Sequence, residues 1–209
     1  MKTRKNPLSI TIIYWLTQVT FWLFVLVFFA GIGFNIALQL EVLGNDLQIH
    51  SQMPVEVSYT KKGTLDIFYK EMEVEFVEAT GKIHFIDTDA DLAKWFGFLL
   101  FGVTCITLYI FLMFKRFIGN VYRGFIFERF NIRMLKKMAY GLVALWAFMI
   151  IYSRMFYYFI ARRIEFEYIE ISSEFNNYGF VLVIALLLWV LSHVFMTGVK
   201  LQDDQSLTV

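Results

Sequence analysis

Residues 10–38 read ITIIYWLTQVTFWLFVLVFFAGIGFNIAL, and no residue in that stretch carries a charge at neutral pH. A helix crossing the hydrocarbon of a bilayer needs about 20 predominantly apolar residues at a rise of 1.5 Å each, so this run suffices for one crossing. Lys2, Arg4 and Lys5 precede it, as basic residues precede a secretory signal. Its apolar core is far longer than the roughly 7–15 residues of a signal h-region, however, and no convincing small-residue cleavage site follows, so it reads as a retained anchor. The excess length predicts a tilt, or continuation past the membrane surface toward Leu40.

Three further runs of the same kind lie at 92–114, 139–161 and 178–197. The whole chain of 209 residues is 58% hydrophobic and 19% aromatic, above the roughly 45–50% apolar content of soluble domains. These features predict a membrane α-helical fold: four transmembrane helices in one domain over 1–209, with a small extracytoplasmic β-rich insertion between helices 1 and 2. The single cysteine, Cys105, sits inside an apolar run, where it packs as a small hydrophobe and excludes an intrachain disulfide.

Basic residues assign the orientation. Lys2, Arg4 and Lys5 lie before the first span, and Lys115, Arg116, Arg123, Arg129, Arg133, Lys136 and Lys137 lie between the second and third. By the positive-inside rule both segments face the cytoplasm, which predicts a multi-pass membrane protein with both termini cytoplasmic. The loop 115–138 and the tail 198–209 are then cytoplasmic, and 41–91 and 163–177 face outward. Arg162 and Arg163 oppose this vote but are outnumbered. Trp95, Tyr157, Tyr158 and Tyr178 fall near the outer boundary, where amphipathic rings collect.

The outer segment 41–91 changes period. Val55, Val57 and Tyr59 alternate with Glu56 and Ser58, Lys62-Gly63 reads as a turn, and Leu65, Ile67 and Tyr69 resume the alternation. Met72, Val74 and Phe76 alternate with glutamates before a second turn signal at Thr80-Gly81 and the pair Ile83 and Phe85. The alternation around Phe166, Tyr168, Ile169 and Ile171 offers one more strand to the same sheet. Asp87, Asp89 and Asp91 crowd together, but the positions where an EF-hand needs glycine and glutamate hold Leu92 and Phe98; a solvated acidic rim is the expected reading. No metal or cofactor site is assigned.

Ionisable groups within spans carry more weight, because even a lenient scale sets their cost at about 2.5–3.5 kcal/mol at the bilayer centre. Arg154 lies near the outer end of the third run, where it snorkels, pairs with a carboxylate such as Glu165 or Glu167, or holds an anionic ligand. His193, near the inner end of the fourth, suits a hydrogen-bonded interfacial histidine or a proton relay; the spans contain neither Asp nor Glu to extend such a relay. Gln18 and Asn35 read as interhelical hydrogen-bonding groups. Gly31 and Gly33 read as places of close approach or bending.

The segment 128–138 sets Ile132, Leu135 and Met138 against Arg129, Arg133, Lys136 and Lys137, a basic amphipathic helix. One reading lays it in the anionic inner interface, where it fixes topology. The other makes it a docking surface for an acidic cytoplasmic partner; nothing in it resembles a base-reading module, so direct nucleic-acid binding is not expected.

The step from Phe127 to Asn131, followed by Leu135-Lys-Lys, and the tail in which Gly198, Leu201, Asp204, Leu207 and Thr208 recur, resemble the small bacterial membrane proteins of domain of unknown function 2975. Ser206 and Val209 replace the aspartate and isoleucine usual in that tail. The resemblance implies a membrane protein whose genes neighbour a small helix-turn-helix regulator, with the basic segment and the tail as its cytoplasmic partner surface and the outer sheet as a sensor. The expected partners are thus the lipid bilayer and a small DNA-binding regulator. A nucleophile paired with a base, a metal-ligand cluster and a phosphate-cradling glycine loop are all missing from the sequence, which argues against an enzyme. A non-catalytic accessory subunit of a transporter or envelope complex is the alternative reading.

Overall fold

The computed structural model describes residues 7–40, 42, 49–67, 70–85, 88–164, 169–171 and 178–207. Its elements run α1 (Leu8–Gln39), β1 (Ile49–Ile67), β2 (Lys70–Phe85), α2 (Ala90–Tyr122), α3 (Arg129–Phe159), a 3-10 turn (Ala161–Arg163), β3 (Ile169–Ile171) and α4 (Gly179–Leu207). Among the described residues, four helices are long and apolar enough to cross a membrane. Their apolar residues are largely exposed: α1 buries only Thr17, Phe21 and Leu38, while Trp15, Leu26 and Phe29 face outward. Water would penalise such a surface, whereas hydrocarbon accepts it and demands only the internal backbone pairing that a helix supplies.

The chain divides into two compact units, one of Met1–Leu40, Lys94–Met149 and Tyr178–Val209 and the other of Glu41–Ala93 and Ile150–Asn177. The last turns of α3 fall in the second unit together with the strands. The pairing of β3 with β1 supplies the reason: it ties the chain that follows α3 to the strands that precede α2.

In the first unit α1 meets α2 through rings. Phe21 and Phe24 stack on Phe111 with centroids 6.4 and 5.3 Å apart, Phe28 stacks on Phe101, and Tyr14 lies nearly parallel to Tyr122 at 4.3 Å. Such pairs add about 0.5–1.5 kcal/mol beyond area burial, a useful increment where lipid removes the hydrophobic drive between helices. Helices α2, α3 and α4 close around Met113, Leu135 and Met138, against which Phe117, Leu188 and Phe195 pack. On α4 the buried residues Ala185, Ser192 and Val199 recur every seven positions, the seam spacing of packed helices.

Close approach occurs at glycines other than those expected. Nothing lies within 4 Å of a Cβ built on Gly31 or Gly33. A Cβ on Gly102 would run into the Phe148 ring, and one on Gly141 would stand 2.7 Å from Ile110. Asn35, expected to bond between helices, donates to the Gly31 carbonyl of its own helix at 3.0 Å and rests against Gly97.

In the second unit the three strands are ordered β2-β1-β3, all antiparallel. The turn signals at Lys62-Gly63 and Thr80-Gly81 are not turns. Gly63 pairs with Val74 and Gly81 with Met53, so the chain forms two long strands with one reversal between Ile67 and Lys70. Glycine is disfavoured within strands but tolerated there, and the ladder that continues before and after each glycine outweighs the local preference. The register shifts between Glu56 and Lys61, and β3 pairs along the edge of β1 at Val55–Val57. Asp89 caps α2, its carboxylate accepting from the Asp91 backbone N–H at 3.2 Å. Of the expected acidic rim, Asp87 lies outside the described residues.

Candidate functional site

The turn between α2 and α3 begins with a glycine stop. Gly124 adopts φ +87°, the Gly124 N–H donates to the Val121 carbonyl and the Phe125 N–H to the Asn120 carbonyl, both at 3.0 Å. This pattern satisfies the last carbonyls of α2 and demands left-handed backbone, which glycine adopts without a Cβ penalty. The segment 115–138 is therefore not one loop. Lysine and arginine are good helix formers, so α2 continues past the apolar run to Tyr122, and α3 starts at Arg129.

Asn131 holds the turn closed from inside. Fully buried, it donates from Nδ2 to the carbonyls of Phe125 at 2.6 Å and Ile126 at 2.9 Å, and its Oδ1 accepts from Asn120 Nδ2 at 2.8 Å. A buried amide satisfied on both atoms converts a costly polar group into a constraint on the loop. The residues from Arg129 to Met138 then form the first turns of α3 rather than a separate helix on the lipid surface. Met134, Leu135 and Met138 are buried in protein, while Arg129, Arg133 and Lys137 are exposed and Lys136 is half-buried. The apolar face that was expected to meet the bilayer interface is occupied by α2 and α4.

Helix α4 continues to Leu207, bringing the tail alongside. Gly198 lies under the Phe127 ring, where an added Cβ would stand 2.5 Å from the Phe127 Cδ1, and Phe127 also packs on Phe195 at 5.5 Å. One turn further, Arg129 Nη2 pairs with Asp203 Oδ2 at 3.3 Å. Arg133 stands over the Phe130 ring at 5.5 Å. Between the two helices runs a groove of about 560 Å³, walled on α3 by Arg129, Ile132 and Arg133 and on α4 by Met196, Val199, Lys200 and Asp203.

The residues singled out in the sequence are thus only partly assembled. Arg129 and Arg133 line the groove; Lys136 and Lys137 continue the same basic flank. Leu201 and Asp204 are exposed on α4. Leu207 ends that helix, and Thr208, like Glu165 and Glu167, lies outside the described residues. His193 is exposed and accepts a hydrogen bond at Nε2 from Trp189 Nε1, 3.0 Å away, whose ring meets Tyr140 edge-on. Arg154 belongs to the other unit, exposed on α3, and Arg162 stacks on Tyr158 at 3.9 Å. Asp203 was missed by sequence reasoning. Its signal was the helical phase of Met196, Val199, Lys200 and Asp203, which becomes informative only once the tail is known to be helical.

Comparison with known proteins bears on the same region. A family model described as Protein of unknown function (DUF2975) matches residues 79–209, which contain α2, α3, α4 and both sides of the groove. No curated protein and no solved structure gives a match.

Proposed function

We propose, for a chain that belongs to the family described as Protein of unknown function (DUF2975), that it is a non-catalytic, membrane-embedded regulator that captures an acidic cytoplasmic partner in the groove between α3 and α4. The partner that suits this reading is a small helix-turn-helix transcription regulator held at the bacterial inner membrane. The observation that carries it is that two family-like positions far apart in sequence, Phe127 and Gly198, pack together beside a groove that Arg129 and Asp203 bridge and that Arg129, Arg133, Lys136 and Lys137 flank.

The orientation that goes with this reading puts the α2–α3 turn and both termini in the cytoplasm and the three-stranded sheet outside, on the strength of the basic residues at that turn. The groove's chemistry supports an acidic partner in a specific way. Arg129 and Asp203 are 82% and 57% exposed, so their pair is screened by water and contributes little to folding. An incoming carboxylate could therefore take Arg129 from Asp203 at small cost while Ile132 and Val199 receive an apolar side chain.

The test is affinity capture from gently solubilised native membranes with three tagged forms. The intact chain should recover a small DNA-binding protein. A chain truncated after Lys200, and one carrying Arg129→Gln, Arg133→Gln, Lys136→Gln and Lys137→Gln together, should lose it while inserting normally. Recovery of transport or envelope subunits, indifferent to both changes, would replace this reading with the accessory-subunit one.

A further inference from the structure

A second concave site lies in the same unit and shares no residue with the groove. Its pocket of about 290 Å³ lies where α1, α2 and the first turn of α3 meet, and its polar wall includes Gln18, Lys115, Arg116, Gly119, Asn120 and Arg123. On α2 the positions 116, 119 and 120 fall on one helical face, and Arg123, just past the helix end, follows them one turn on. Lys115 follows directly on the apolar run 92–114, so the pocket opens where hydrocarbon gives way to the headgroup layer.

Three cations face this space, and among the described residues none of them makes an ion pair. Lys115 lies against two rings, its Nζ 3.8 Å from the Phe21 ring centroid and 5.1 Å from that of Trp22. Ring faces stabilise the charge without neutralising it and keep the ammonium at the apolar edge. Gly119 matters in a different way. No atom lies within 4 Å of a Cβ built there, so packing does not require the glycine, and the missing side chain is what leaves the pocket open.

We propose that this pocket binds a phosphoryl oxyanion, supplied by the headgroup of an anionic phospholipid. Guanidinium groups match phosphate oxygens in fork geometry, and the Gln18 and Asn120 amides suit the remaining oxygens. Basic pockets between spanning helices recognise headgroups on these terms. The location at the end of the apolar run favours a phosphate that carries acyl chains over one free in solution.

The experiment is native mass spectrometry of the full chain exchanged into phosphatidylcholine micelles containing phosphatidylglycerol. The readout is the retained ratio of the two lipids, with secondary structure checked by circular dichroism. Wild type should retain phosphatidylglycerol over phosphatidylcholine by about tenfold, as expected from a few basic contacts. Two variants should abolish the preference: Arg116→Gln with Arg123→Gln, which removes charge, and Gly119→Leu, which fills the pocket while raising helix propensity. Loss in the charge variant with full retention in G119L would mean a diffuse surface field and overturn the site, as would an absent preference in wild type. A repeat in millimolar inorganic phosphate separates the sources: undiminished retention supports the lipid, and displacement of the lipid overturns that assignment in favour of free phosphate.

Discussion

Asn131 shows how one buried polar side chain organises a membrane protein's turn. Its amide closes the loop onto the backbone carbonyls of Phe125 and Ile126 and ties it to Asn120. Asn131→Ala leaves those groups unsatisfied in a buried place, so a loss of about 2–3 kcal/mol is expected, read as a lowered thermal midpoint in detergent. Arg129 predicts the opposite pattern. Its pair with Asp203 is exposed, so Arg129→Ala should change stability by no more than about 1 kcal/mol yet weaken partner capture. A large stability loss for Arg129→Ala would make the residue structural and remove it from the proposed surface. The sequence marks Asn131 by its place four residues after Phe127, but not its role, because two of its three partners are main-chain groups that no side-chain pattern reveals.

At the scale of elements, hydropathy locates where helices leave the hydrocarbon and says little about where they end. The third helix was expected from residue 139 and starts at Arg129, ten residues earlier in the chain; the fourth was expected to end at 197 and runs to Leu207. Charged residues stop a hydrophobic run without stopping a helix, since both the backbone pairing and the propensity continue. One consequence can be checked by labelling in a Cys105→Ser background. Leu135→Cys should resist both aqueous and lipid-soluble maleimides, because Leu135 is 1% exposed within protein. Ready reaction with the lipid-soluble reagent would return the basic segment to the bilayer surface. In the sheet, the alternation of Val55 to Ile83 was legible, but its division by Gly63 and Gly81 was misread. Ladder partners decide whether a glycine bends the chain, and those partners lie far away in sequence.

At the scale of the whole molecule, the reading of topology predicts that a reporter fused after Val209 is active only in the cytoplasm and one inserted between β1 and β2 only outside; either result reversed would invert the proposed partner face. What the sequence determined by itself was the class of fold: four apolar runs and the distribution of basic residues, because transfer into hydrocarbon is close to additive over a segment and needs no knowledge of neighbours. The tertiary structure alone decided which of the marked residues form a site. Phe127 meets Gly198, and Arg129 meets Asp203 across 74 residues of chain, only because α2, α3 and α4 pack around Leu135. The same packing turns the apolar side of the basic segment inward, leaves Arg154 in the other unit, and sets the cations of α2 around an open glycine. Contacts of that kind depend on the phase and crossing of whole helices, quantities that no local window of sequence contains.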